Sequence, residues 1–463
     1  MAASPASDVR SGEYGDKVVA VEPGGIEPVA AADKHGKPHQ LFWTWSSPNL
    51  EFATIFVGVL GVSAFGLSFW QVLLAAVLGN GLGALSHGIL SARGPKHGVP
   101  QMVLSRLGFG YWGNVVPAAL MSVTAGIGWF AVNSVSGAFA LNTLLGLPVL
   151  PCLIIIVALQ IGIAFFGHNL VQAYEKYIFG VLAVIFLIAT VFTFAKSHPG
   201  APGGGGGTGG FLLTTGAAFG YAAGWNPYAA DYTRYLPAGV RGRAVGWYAA
   251  LGLFVSCTVL MAAGAASATI GGADESASPT AAFTGHMPGW LSAITLLAIA
   301  LGAVAANALN VYSGALAFLC LGIKLPLTWR RAIVALGFGA IGFVLAWAGL
   351  SDAGEAYENF LLVISYWISP WLAVVFVDQY LRRGRAVDTL LADRSRPGWA
   401  GLASFLVGAV VSIVFFANQS LYTAPVPKAV PAIGDITFFV GFVLAGGLYA
   451  ILGPRTRELR QRS

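Results

Sequence analysis

The sequence predicts an all-α polytopic membrane protein. Twelve transmembrane helices are expected, built as a five-plus-five inverted repeat with broken helices 1 and 6, plus two C-terminal helices. Three observations predict it. Hydrophobic residues make up 56% of the 463 and charged residues only 10%, against roughly 25% charged in an average globular chain. Cutting the chain at charges, prolines and glycine clusters leaves twelve apolar stretches of spanning length, and the basic residues fall almost wholly on one side of them.

The stretches are 40–62, 68–90, 115–141, 149–168, 176–196, 211–235, 244–270, 289–319, 329–349, 357–380, 400–417 and 434–453. With the N-terminus inside, all 25 Lys and Arg except Lys196 and Lys428 fall in cytoplasmic loops or tails. The external loops carry acids instead: Asp274 and Glu275 in one, Asp352, Glu355 and Glu358 in another. An odd number of spans would scramble that bias, so both termini are placed in the cytoplasm and the chain in the cytoplasmic (inner) membrane.

The expected organisation is a disordered cytoplasmic tail at 1–39, a first repeat at 40–196 and a second at 211–380. Between the repeats, residues 197–210 (SHPGAPGGGGGTGG) read as a flexible Gly-rich external loop. A cytoplasmic loop at 381–399, two further spans at 400–453 and a basic tail at 454–463 complete the chain. The two groups of five show no convincing sequence repeat; equal, odd helix counts place them in opposite orientations.

Composition also excludes. The net charge of +6 belongs to topology and anionic headgroups, so no nucleic-acid partner is expected. Cys152, Cys257 and Cys320 lie far apart in apolar runs and offer neither a disulfide framework nor metal spacing. The polar, Pro/Gly-rich first forty residues show no cleavable signal peptide. His87, His168 and Glu175, near expected cytoplasmic ends, are too scattered for a catalytic pair. No cofactor and no obligate protein partner are expected.

In inverted-repeat bundles, ligands bind where the first helix of each repeat is interrupted near the midplane. Both first helices carry a break signal: Ser46-Ser47-Pro48-Asn49-Leu50-Glu51 in span one and Gly224-Trp225-Asn226-Pro227-Tyr228 in span six. Proline removes a backbone donor and clashes with the preceding turn, freeing carbonyls. A packing kink would explain either proline alone; two breaks at corresponding positions favour a site.

The intramembrane polar residues follow from the cost of burying them. Glu51 is the one acid well inside a span of the first repeat, and such a carboxylate faces a cavity, holds a proton or meets a partner. Asp231 and Arg234, three apart on one helical face, read as a structural pair or cytoplasmic gate. Asp378 reads as interfacial beside Arg382 and Arg383. Trp129 and Asn133 share a face of span three, and Asn307 and Asn310 share one of span eight. A lone membrane asparagine is more often interhelical glue than ligand. Two mid-span indoles, Trp129 and Trp225, with amides and a carboxylate suit a flat, polar, aromatic solute. Stacking is worth about 1–3 kcal/mol per base, and each amide contact roughly 0.5–1.5 kcal/mol net.

These residues resemble the nucleobase–cation symporter-1 family, in its purine–cytosine permease branch, over about 40–453. The resemblance rests on GWNPYAADYTRYLP at 224–237 and GPKHGVPQMVLSRLGFGYWGNVVP at 94–117, supported by GWF at 128–130 and NVYSG at 310–314. It implies twelve helices, the inverted repeat and solute–cation symport by alternating access. It further implies that Trp129 and Trp225 stack on the heterocycle and that Asn133 and Asn310 bind its edge. Gly224 then brings backbone to the ligand, and the first-helix break lies near Ser46–Asn49, with Glu51 at the chamber's edge. One departure stands out: sodium-coupled members carry hydroxyl residues where this chain has Val304 and Ala305. That leaves mainly backbone carbonyls around Ser46 and Asn49 for sodium. The expected coupling ion is therefore H+ rather than Na+, with Glu51 the candidate carrier and Asp231 the reserve. The expected function is import of a nucleobase, cytosine or a purine. Rival solutes are hydantoin, allantoin, uracil or a vitamin, and rivals of another class are a passive channel, a membrane-embedded enzyme or a non-transporting sensor.

Overall fold

The computed structural model describes residues 16–19, 22, 25–271, 278–323, 330–350, 353–396 and 398–453. The expected basic tail at 454–463 and the external acids Asp274, Glu275 and Asp352 lie outside the described residues.

Each of the twelve expected stretches is helical, because each is an apolar run whose backbone polar groups find partners only within the segment. The first divides into α1 (Gln40–Ser46) and α2 (Phe52–Ser63). Next comes α3 (Phe69–Ser91), opened by a capping box in which Ser68 and Gln71 satisfy each other's backbone N–H. The third divides into α4 (Val115–Val123) and α5 (Phe130–Leu145), ended by Gly146 at φ 68°. Then follow α6 (Val149–Phe166) and α7 (His168–Lys196). The sixth stretch divides into α8 (Gly207–Ala223) and α9 (Ala229–Thr233). The remainder are α10 (Gly242–Ser267), α11 (Gly289–Leu319), α12 (Arg330–Ala348), α13 (Ala353–Leu381), α14 (Trp399–Phe416) and α15 (Thr437–Leu452).

Among the described residues, eight helices are long and apolar enough to cross a membrane, and α2, α15 and Ile333–Ala348 are shorter apolar helices. Among the described residues the strands are limited to a hairpin pairing Asn418 with Thr423 and Gln419 with Tyr422. Large apolar side chains point outward in helical rows, as Trp70, Leu74, Leu78, Leu82 and Leu85 do on α3. Such rows suit acyl chains as their solvent. Inside, small residues let backbones meet. A Cβ on Gly58 of α2 would stand 1.8 Å from the Met261 carbonyl oxygen of α10, and one on Gly264 of α10 would stand 1.8 Å from the Ile55 oxygen.

Three expectations need correction. The fifth helix starts at His168, eight residues before the expected boundary at Lys176, because the charged pair Glu175-Lys176 continues the helix: Glu175 turns inward and Lys176 outward. The glycine stretch is a mostly exposed loop up to Gly206, but α8 begins inside it at Gly207 and some of its glycines pack on neighbouring backbone. A Cβ on Gly206 would lie 1.8 Å from the Phe65 oxygen and one on Gly203 2.6 Å from the Ser68 nitrogen, so these glycines admit the neighbouring backbone. The tail at 1–39 is structured where it is described. Residues Ala31–Asp33 form a 3-10 turn, and Glu22 is buried against the helix ends.

Candidate functional site

The first break begins where α1 tightens into a 3-10 turn at Ser47–Asn49, with Pro48 inside it. The chain then leaves helical geometry at Leu50 (φ −81°, ψ 67°) and Glu51 (φ −153°, ψ 173°). Glu51 caps the new helix: its Oε2 accepts from the Ala53 N–H at 2.8 Å, where an acceptor and a negative charge are both favourable. The other oxygen, Oε1, accepts from the Tyr221 hydroxyl of α8 at 3.0 Å. Gly302 of α11 makes room for this turn, since a Cβ there would stand 2.3 Å from the Leu50 oxygen and 2.9 Å from Glu51 Cβ.

The second break runs through Trp225 and a 3-10 turn at Asn226–Tyr228 before α9. The two breaks touch. Trp225 Nε1 donates to Asn49 Oδ1 at 2.9 Å, while Asn49 Nδ2 donates to the Trp45 oxygen at 2.7 Å. Trp129 arrives from the third helix at the end of a π-helical turn, Thr124–Trp129. Such a turn rotates the residues that follow it, and π turns recur at functional sites. Its ring meets Tyr221 edge-on at 5.4 Å between centroids and Phe360 at 5.2 Å. A Cβ on Gly224 would come within 3.5 Å of Trp129 Nε1. The bare Gly224 backbone therefore lies open beside the indole.

The asparagines form one network. Asn307 Oδ1 accepts from Asn133 Nδ2 at 3.0 Å and from Asn310 Nδ2 at 3.1 Å, and its own amide donates to the Phe130 oxygen at 2.8 Å. Tyr228 donates to Asn310 Oδ1 at 2.7 Å. Asn307 is thus the hub that holds its neighbours, whereas buried Asn133 Oδ1 has no protein donor. Such an oxygen is stable only if a ligand or water reaches it.

Glu51, Asn49, Trp129, Asn133, Gly224, Trp225, Asn307 and Asn310 are therefore brought together. Ser46 is not: its hydroxyl donates away from them, to the Gly252 oxygen of α10 at 3.0 Å. Asp231 also faces elsewhere, accepting from the Gln101 N–H at 2.8 Å and so tying down the loop before α4. The expected Asp231–Arg234 pair is replaced, because the tail supplies Arg234 with another acid. Arg234 Nη2 lies 3.1 Å from Glu22 Oε1, and Nη1 donates to the Gly25 oxygen at 2.7 Å. Glu22 also receives Tyr312 and Tyr235 hydroxyls and the His168 N–H, so tail residues are tied to α7, α11 and the segment after α9. Asp378 is buried, paired with Arg382 at 2.8 Å and bonded by Tyr449 at 2.8 Å. Val304 and Ala305 are buried in α11, just beyond the Gly302 contact with the first break, and bring no hydroxyl there.

Sequence reasoning missed Tyr221, Tyr228 and Phe360. Tyr221 had a signal, standing one helical turn before Trp225. Phe360 had none, because its approach to Trp129 depends on how α13 packs.

An apolar helical bundle whose two interrupted helices meet at an aromatic, amide-rich, carboxylate-bearing cluster has the build of a secondary transporter. Residues 28–441 match the family described as permeases for cytosine/purines, uracil, thiamine and allantoin, and the chain belongs to that family. It is 30% identical to the putative purine-cytosine permease YxlA of Bacillus subtilis, over 95% of this chain and 97% of that one. It is 29% identical to the purine-cytosine permease fcyB of Emericella nidulans, over 94% and 88%. Among solved structures it shares its fold with Mhp1, a nucleobase-cation-symport-1 family transporter seen closed with bromovinylhydantoin bound. The TM-score is 0.73 at 18% identity, covering 93% of this chain and 95% of that one.

Proposed function

We propose that this protein imports a nucleobase, cytosine or a purine, together with a proton, across the cytoplasmic membrane, with both termini inside. The observation that carries the reading is the cluster of side chains where the two breaks meet. Trp129 and Trp225 bring indole rings, Gly224 a bare backbone, Asn133 an unmet acceptor and Glu51 a carboxyl to one cluster. A flat ring with donors and acceptors on its rim matches that set. No bond is made or broken in such a cycle, so the chain acts as a carrier and not as an enzyme. Alternating access follows from rocking of the helix bundle that carries the breaks against its scaffold.

A proton is favoured as the coupling ion because the side chains near the first break are committed or apolar. Ser46 and Asn49 are bonded to protein groups, and Val304 and Ala305 bring no side-chain oxygen. The test is uptake of radiolabelled cytosine, adenine, guanine and hypoxanthine into proteoliposomes, with proton and sodium gradients imposed separately. Accumulation under the proton gradient alone is expected. Accumulation under sodium alone would overturn the coupling ion, and uptake of none of the four would overturn the substrate class.

A further inference from the structure

Glu175 lies two turns into α7 and is fully buried. It stands opposite the first break. The Ser47 hydroxyl donates to Glu175 Oε2, and one turn earlier Thr44 donates to Gln172 Oε1 at 2.9 Å, so α1 and α7 meet along two polar rungs. Glu175 Oε1 is buried with no hydrogen-bond partner. The titratable groups around it are uncharged: Tyr174, whose hydroxyl donates to the Leu301 oxygen at 3.0 Å, and Tyr232 of α9, whose hydroxyl donates to the Leu309 oxygen at 3.2 Å. Lys176, the next residue, points outward. Among the described residues no cation faces the carboxyl.

A carboxylate in a membrane interior with one hydroxyl donor and no cation costs several kcal/mol unless it is neutralised. Glu51 differs, since both of its oxygens are met by donors. Resting on the reading of the chain as a proton-coupled carrier, we infer that Glu175 is the coupling proton's binding site and that the Ser47–Glu175 contact is the latch between α1 and α7. Protonated, the pair packs dry and α1 stays against α7. Once the proton leaves, the charge requires water, and the state in which α1 has moved off α7 is favoured. Glu51 then serves substrate recognition, and the two carboxylates divide the work across one break.

The test uses the purified full chain in proteoliposomes with radiolabelled cytosine and adenine. It compares base–base exchange without a gradient against accumulation under an imposed proton gradient. For Glu175→Gln, exchange is expected to persist within about threefold of the parent while gradient-driven accumulation falls by about tenfold or more. The pH dependence of exchange from about pH 5.5 to about 8 is expected to flatten. Ser47→Ala is the second variant, since it keeps the carboxyl and removes a donor to its ionised form. It is expected to lose less gradient-driven accumulation than Glu175→Gln does, with the pH midpoint of exchange moved upward. Parent-like accumulation and pH dependence in Glu175→Gln would overturn the assignment. So would an unmoved midpoint in Ser47→Ala, a result that stands even if Glu175→Gln fails to fold. Absence of exchange in the parent protein would instead overturn the functional reading on which the inference rests.

Discussion

The two broken helices are interrupted by the same device, a proline-containing 3-10 turn, yet they break to different depths. At the first, Leu50 and Glu51 leave the helical region altogether, and a new helix must be capped from its beginning. At the second, Trp225 (φ −81°, ψ −9°) and Tyr228 (φ −101°, ψ −9°) stay near helical geometry, and α9 continues the same path. A full break exposes backbone donors, and the Glu51 carboxyl answers them. A shallow one changes only the angle at which side chains leave the helix, and it presents an indole and a phenol. The first break therefore brings a carboxyl and the second sets shape, with the Trp225–Asn49 bond fixing one against the other.

Substitutions at each break sharpen or dissolve that division. The largest effect is expected for Glu51→Ala, which removes a cap worth about 1 kcal/mol and charge-assisted contacts worth about 1.5–3 kcal/mol. Uptake should fall by roughly a hundredfold, with a lowered melting temperature in detergent; Glu51→Gln should keep the cap and lose mainly affinity. Trp225→Ala comes next. Losing a stacking face of about 1–3 kcal/mol should raise the KM for uptake by roughly tenfold to a hundredfold, while Trp225→Phe should recover much of it. Gly302→Ala is expected to overpack the first break at a cost of about 1–3 kcal/mol, read as a melting shift. Its counterpart Gly224→Ala should cost less, because the new Cβ would meet neighbouring atoms at 3.0 Å or more. Smallest of all should be Pro227→Ala, about threefold or less in uptake, because the residues around it already hold helical angles. If Pro227→Ala instead proved as damaging as Glu51→Ala, the breaks would be equivalent and the comparison would fail.

Much of this was legible in the sequence, for physical reasons. Spanning helices announce themselves because nothing but an internally bonded apolar segment survives in acyl chains. The breaks showed as prolines inside apolar runs. Trp129, Asn133, Asn307 and Asn310 showed as polar or amphipathic residues at helical spacing. What stayed hidden depends on partners distant in the chain. Asp231 and Arg234 look paired until Glu22, more than two hundred residues earlier, takes the arginine. The glycine run at 197–210 has the composition of a linker, and only the passing backbone of Phe65 and Ser68 shows why side chains are excluded there. Glu175 was set at a helix end because Lys176 follows it, although one of those two side chains faces inward and the other outward. The π turn before Trp129 leaves no mark in hydropathy.

The measurement that bears most directly on the central claim is a structure of the full chain with cytosine or adenine bound. The account predicts the base ring against the Trp129 and Trp225 faces, its edge within hydrogen-bond distance of Asn133 Oδ1 and Glu51, and Asn307 still bonded to its neighbours. A base bound away from both tryptophans, or seated in the chamber without contact to either carboxylate or amide, would contradict it.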